Sequence, residues 1–230
     1  MKKLTKILGV CTLSSTILLS GCGMNNTGKG ALIGGAGAGA VGAGVGALIG
    51  GGKGAGIGAA VGAAVGAGAG ALIGRKMDKQ AEELRKIENA KVEEATDANG
   101  LKAIRVTFDG GILFPTNGTT LSAAARTDLS EFALTLKNNP QTNVQVYGFT
   151  DNTGSMSANQ KVSTGRADAV RTYLENCGVA TSRITAEGLP MTNYIASNET
   201  AEGRAQNRRV EIFISANEEM IRQAEAEAGK

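Results

Sequence analysis

Between residues 101 and 215 the apolar positions switch repeatedly between a period of two and a period near 3.6. "LKAIRVTF" alternates and predicts a strand. Ser122 then stands as an N-cap before a helix whose apolar face runs Ala125, Leu129, Phe132 and Leu136, stopping ahead of Pro140. "NVQVYGF" predicts a second strand, followed by a helix through Val162, Ala169, Val170, Tyr173 and Leu174 that Gly178 terminates. "SRITAEG" and "RRVEIFIS" complete the series, the latter placing Val210, Ile212 and Ile214 on one face. The order predicts an α/β fold in which a single mixed sheet is covered by helices, with residues 216–230 left as a C-terminal tail.

The pattern upstream is different. Residues 75–100 are charged, with Glu82 and Lys86 spaced as helical partners and only Leu84 and Ile87 as an apolar seam. They read as a solvated helical connector. Before them, residues 28–74 hold 20 of the 34 glycines. "GKGALIGGAGAGAVGAGVGALIG" and "GKGAGIGAAVGAAVGAGAGALIG", offset by 24, agree at 17 of 23 positions, which makes the segment an internal repeat. In the second copy Gly54, Gly58, Gly62, Gly66, Gly70 and Gly74 recur every four residues, a stripe along which two helices can approach backbone to backbone. Each copy has about 20 uncharged residues, roughly the 30 Å of helix needed to cross a bilayer. The favoured reading is a transmembrane helical hairpin turning at Lys53. A silk-like sheet also fits the even-numbered glycines, and a flexible linker fits their helix-breaking cost.

The first 21 residues carry Lys2, Lys3 and Lys6, then an apolar run too short to span a membrane, as in a secretory signal. Leu19-Ser20-Gly21-Cys22 resembles a bacterial lipobox, which implies cleavage before Cys22, its lipidation and an acylated segment over residues 22–27. Cleavage takes Lys+Arg from 24 to 21 against 21 Asp+Glu, so the mature chain is neutral and its charge does not point to nucleic acid. With Cys11 removed and Cys22 acylated, Cys177 has no disulfide partner and reads as a small core residue. The chain contains no histidine, which excludes Ser-His-Asp and Cys-His nucleophiles and His-bearing metal sites. Isolated carboxylates such as Asp109 and Asp128 have no motif partner. The reading is a non-enzyme without cofactor or metal.

"FDGGILFPTNGTTL", "VQVYGFTDNTGS", "NQKVSTGRADAVRTYL", "RITAEGLP" and "NETAEGRAQNRRVEI" together resemble the C-terminal domain of OmpA-like proteins. With the lipobox and the glycine repeat, the chain resembles an OmpA-family lipoprotein. The resemblance implies an outer-membrane, lipid-anchored protein whose periplasmic domain binds peptidoglycan without a covalent bond, through the diaminopimelate of the stem peptide. Such an end presents an ammonium and a carboxylate, which call for one acid and one forked base. By position these are Asp151 for the ammonium and Arg166 for the carboxylate, with Asn159, Thr153 and Asn117 beside them. Arg209 is a further candidate contact, whereas Arg204 and Asn207 read as structural. Phe149 and Val162 depart from the family's usual His and Leu, which implies altered packing. A second function stands beside the first, an envelope scaffold that oligomerises or recruits envelope proteins through the glycine repeat.

Overall fold

The computed structural model describes residues 65–115 and 117–229. The signal segment, Cys22, the first glycine copy and most of the second lie outside the described residues.

The described residues run from α1 (Ala67–Leu84) through β1 (Ala90–Thr96), β2 (Lys102–Asp109), the short α2 (Gly110–Leu113), α3 (Ala123–Asn138) and β3 (Thr142–Phe149). Then come α4 (Met156–Asn176), β4 (Ile184–Leu189), α5 (Ala201–Asn207), β5 (Arg209–Ala216) and α6 (Glu218–Ala228). The five strands form one mixed sheet in the order β1-β2-β5-β3-β4, with only β3 and β4 parallel. The expected α/β single-sheet architecture is present.

Local chemistry explains the element ends. The Ser122 hydroxyl accepts from the Ala125 amide at 3.0 Å, and Ala125, Leu129, Phe132 and Leu136 are all fully buried. Helix α4 ends at Asn176 and Gly178 takes a φ of 91°, the left-handed conformation a glycine stop adopts. Val144, Val146, Val210, Ile212 and Ile214 meet these helices in the main core, whereas Ala103, Tyr147, Phe149 and Phe213 cluster separately.

The charged connector expected over residues 75–100 is not what forms. Helix α1 stops at Leu84, and residues 90–96 pair with β2 from Ala90↔Phe108 to Thr96↔Lys102. Nor is α1 a solvated spacer, because Ala69, Ile73, Met77, Ala81 and Leu84 lie in the core at spacings of four, four, four and three. The residues 67–74 that close the second glycine copy are the first two turns of this domain helix. Among the described residues, no helix is long and apolar enough to cross a membrane. The tail is likewise a helix. Asn217 caps α6, Met220 and Ala224 are buried, and a methyl group on Gly68 would stand 3.0 Å from Ala228 Cβ, so α1 and α6 pack closely where their side chains are smallest.

The β1–β2 turn has its own titratable group. Asp97 is buried, and its Oδ1 accepts from the amides of Asn99 and Leu101, both at 2.8 Å. Burial outweighs these bonds and pushes the carboxyl up to about 6. The folded protein therefore binds this proton more tightly than the unfolded chain does. The resulting stability is fully present below about pH 4, the ordinary value, and is lost as pH rises through 6. Asp97→Asn keeps the acceptor and removes the titration. In urea unfolding between pH 4.5 and 7.5, the wild type is expected to lose about 2 kcal/mol relative to the variant. Parallel stability profiles would show that the carboxyl titrates normally.

Two glycines set the position of α4. A methyl on Gly148 would sit 2.2 Å from the Ser163 carbonyl oxygen, and one on Gly188 would sit 2.4 Å from the Thr164 amide nitrogen. The helix therefore rests directly on the backbone of β3 and β4. This close approach brings Arg166, less than one turn beyond Ser163, to the end of β3.

Candidate functional site

Strand β3 ends at Phe149, and Thr150 and Asp151 continue past the sheet into a loop that Gly154, at a φ of 86°, turns back toward α4. Ser155 caps that helix, its hydroxyl accepting from the Ala158 amide at 3.2 Å. Asp151 is folded in on this loop. Its Oδ1 accepts from the Thr153 amide at 2.8 Å and the Thr153 hydroxyl at 2.5 Å. Asn159, almost fully buried on α4, donates from Nδ2 to the carbonyls of Thr153 at 2.7 Å and Ser155 at 3.1 Å. The loop is thus held at both ends before any ligand arrives.

Facing it is Arg166, only 4 % exposed. Its Nε donates to the Gly118 carbonyl at 3.1 Å, and its guanidinium carbon lies 5.2 Å from the centre of the Phe114 ring. Among the described residues, that is the one acceptor its guanidinium has, which leaves the two terminal amino groups for something else. Between Asp151 and Arg166 lies a cleft of about 790 Å³, also lined by Gly110, Gly111, Phe114, Asn117, Thr153, Asn159 and Val162. Asn117 is exposed on the β2–α3 connection with a φ of 56°, a conformation that asparagine tolerates better than most side chains.

Five of the six sequence-selected ligand residues therefore line one cleft. Arg209 does not, which corrects the expectation for it. Its side chain is buried against Glu211, to which Nε donates at 2.6 Å, and its guanidinium stacks 4.0 Å from the centre of the Phe149 ring. Arg208 is the residue at which α5 ends, whereas Arg209 opens β5 on the face it shares with Glu211 and Phe213. The residue that reaches the cleft is Arg208, whose Nη1 meets Asp151 Oδ2 at 2.6 Å. Nothing in the "NRRV" run alone distinguishes the two arginines; only the start of β5 does. The Phe149 ring thus serves as a platform for a buried cation.

The charges are unequal. Burial pushes the Asp151 carboxyl up, but the Thr153 hydroxyl and amide and the Arg208 guanidinium together outweigh it and hold the group below the usual carboxylate range. Arg166 is lowered, first by burial and then by Arg208, with Asp151 opposing. At neutral pH the cleft therefore presents one carboxylate and two guanidinium groups, a site for a ligand that carries both signs.

The remaining polar candidates have structural partners. Asn207 is fully buried and bonds the Ile195 and Ala196 amides and the Ala196 carbonyl, while Arg204 donates to the Asn198 and Glu199 carbonyls. Asp109 accepts from the Gly111 amide as the cap of α2, and Asp128 accepts from Asn89. Cys177 is half-buried against the core. Among the described residues, no group of His, Cys, Asp and Glu is arranged to hold a metal ion.

Comparisons with known proteins agree with this geometry. Residues 113–208 match the OmpA family, and residues 1–78 match a YMGG-like Gly-zipper. The chain is 40 % identical over 135 residues to Probable lipoprotein YiaD of Escherichia coli, covering 56 % of this chain and 62 % of that protein. It is 44 % identical over 113 residues to the Peptidoglycan-binding protein ArfA of Mycobacterium tuberculosis, covering 49 % of this chain and 35 % of that one. The match thus spans less than two thirds of the length of either relative. Among solved structures, the cell wall anchor of the T6SS from Pseudomonas aeruginosa superposes with a TM-score of 0.52 at 30 % identity, covering 61 % of this chain and 97 % of that one. With the strand order, the cleft and these matches in agreement, residues 113–208 form a domain of the OmpA family, preceded by a segment that matches a glycine zipper.

Proposed function

We propose that the protein binds peptidoglycan non-covalently in the cleft between Asp151 and Arg166, taking the ammonium and carboxylate of a diaminopimelate end of the stem peptide. The observation that carries this reading is the pairing of a buried, ionised Asp151 with a buried Arg166 whose terminal amino groups face no acceptor among the described residues. The peptidoglycan binding for which the mycobacterial relative is named supports the polymer as partner. The choice of diaminopimelate rests on charge geometry. Asp151 keeps a lone pair on Oδ2 beside Arg208, where an ammonium fits, and Arg166 offers a fork to a carboxylate. Preorganisation by Thr153 and Asn159 lowers the ordering cost on binding.

Together with an acylated Cys22, this cleft makes the protein a tether between the outer membrane and the wall, its domain in the periplasm. The glycine segment adds membrane contact or self-association. The chain has no catalytic role in this reading, since binding alone accounts for the groups in the cleft.

Purified sacculi should retain the mature protein in a pelleting assay, and free diaminopimelate should release it. Nα-Acetyl-lysine amide, which keeps the side-chain amine but has no free carboxylate, should release much less. Equal release by both would remove the case for diaminopimelate, and absence of pelleting would remove peptidoglycan altogether.

A further inference from the structure

The loop over residues 190–200, between β4 and α5, is built more firmly than a connection requires. Met191 and Asn193 both have a φ of 50°, which is costly for methionine in particular. Around them, Asn207 spends its whole side chain on the loop, accepting from Ile195 and Ala196 at 2.8 and 3.0 Å and donating to Ala196 and Asn198 at 2.9 Å each. Arg209 donates to the Asn193 carbonyl at 2.9 Å. What this framework holds outward is Tyr194 and Ile195, 41 % and 58 % exposed, two of the four large apolar side chains exposed among the described residues.

Two ties join the loop to the cleft. The Met191 amide donates to the hydroxyl of Thr150, which lines the cleft, and Asn207 directly precedes Arg208, whose guanidinium holds Asp151. A ligand anchored at Asp151 and Arg166 by its peptide end therefore has the remainder of its polymer near this loop.

We propose that Tyr194 and Ile195 form a second contact for that polymer, receiving the apolar face of a glycan sugar ring while the cleft holds the stem peptide. The proposal rests on the peptidoglycan reading above. A pyranose ring has a C–H face suited to an aromatic ring and a β-branched aliphatic side chain, and its hydroxyls remain in water. Tyrosine suits such a half-wet contact, because the ring supplies area at small entropic cost and the hydroxyl stays solvated. The loop's rigidity serves this role, since a pair of exposed apolar residues on a mobile loop would lose much of the contact to ordering.

The test separates sugar from peptide. Two probes are used with the mature protein in calorimetry: the tripeptide L-Ala-D-Glu-diaminopimelate, and the same tripeptide attached to its disaccharide. Tyr194→Ala with Ile195→Ala should leave tripeptide affinity unchanged and weaken the disaccharide-tripeptide about five- to tenfold, the size of one aromatic contact. Tyr194→Phe should retain the wild-type difference. Thermal unfolding of each variant checks that the loop change is local. If the double variant binds both probes like the wild type, or loses both equally, the glycan contact is overturned. Binding of Tyr194 and Ile195 to lipid vesicles or to a protein instead, with no sugar dependence, overturns it as well. Asp151→Asn tests the cleft separately: if tripeptide binding survives that substitution, the peptide assignment fails, whereas the effect of the double variant on the disaccharide probe still decides the loop.

Discussion

Arg166→Ala is expected to abolish measurable binding to sacculi while the domain stays folded. The guanidinium is buried, fixed at Nε by Gly118 and backed by Phe114, so its fork reaches a ligand carboxylate without further ordering. Deleting it leaves that carboxylate desolvated and unpaired, a loss of about 2 to 5 kcal/mol. Arg166→Lys should recover little, because an ammonium offers no planar pair of donors. Asp151→Asn is the matching change on the other side. It keeps an oxygen for the Thr153 amide and hydroxyl but removes the charge that both Arg208 and the ligand ammonium require. Both variants should unfold within a few degrees of the wild type. Normal retention of either on sacculi would mean that the cleft has another ligand.

A fragment covering residues 101–215 is expected not to fold, although it contains every residue that lines the cleft. It lacks α1, β1 and α6. Ile73, Met77, Leu84 and Ile87 are almost completely shielded and pack in the same core as Phe108, Leu129 and Ile214, so their removal opens that core to water. At about 1.5 to 3 kcal/mol for each buried side chain of this size, the four alone contribute as much as the 5 to 15 kcal/mol that holds a typical domain together. β2 would also lose its hydrogen-bonded neighbour along the whole register from Lys102 to Phe108. A fragment of residues 65–229 should instead unfold cooperatively. Circular dichroism of the two fragments compares them directly. Cooperative melting of the shorter one would show that α1, β1 and α6 are additions to an already complete core.

The same elements mark the limit of what local pattern in the chain determines. The strands β2 to β5 and helices α3 and α4 were legible because each carries an uninterrupted apolar period and ends in a cap or a glycine that works locally, such as Ser122 and Gly178. Strand β1 was not. "AKVEEAT" has no clean alternation, because at the sheet edge Glu93 pairs with Lys91 and with Arg105 on β2, and such charges read as helical when the partner strand is unknown. The pattern over helix α1 reads as a membrane repeat at one end and a solvated connector at the other, since its core positions mix alanine and glycine with single large residues.

The cleft divides along similar lines. The resemblance to OmpA-like proteins selected Asp151, Thr153, Asn159 and Arg166; the first three are bound to one another within a few positions, where sequence separation sets geometry, whereas Arg166 takes its place from Gly118, 48 positions away. Residue type also determined the chemistry the chain lacks, histidine being absent throughout. The tertiary structure alone decided which of two adjacent arginines meets Asp151, that Phe149 supports the other, and that Asn207 and Arg209 brace the loop bearing Tyr194. Each of these outcomes depends on where α5 gives way to β5 and on what a distant segment brings there, as with Arg208 and Asp151, 57 positions apart. A short-range period in the chain contains no information about such a meeting; packing of the whole core against the sheet supplies it.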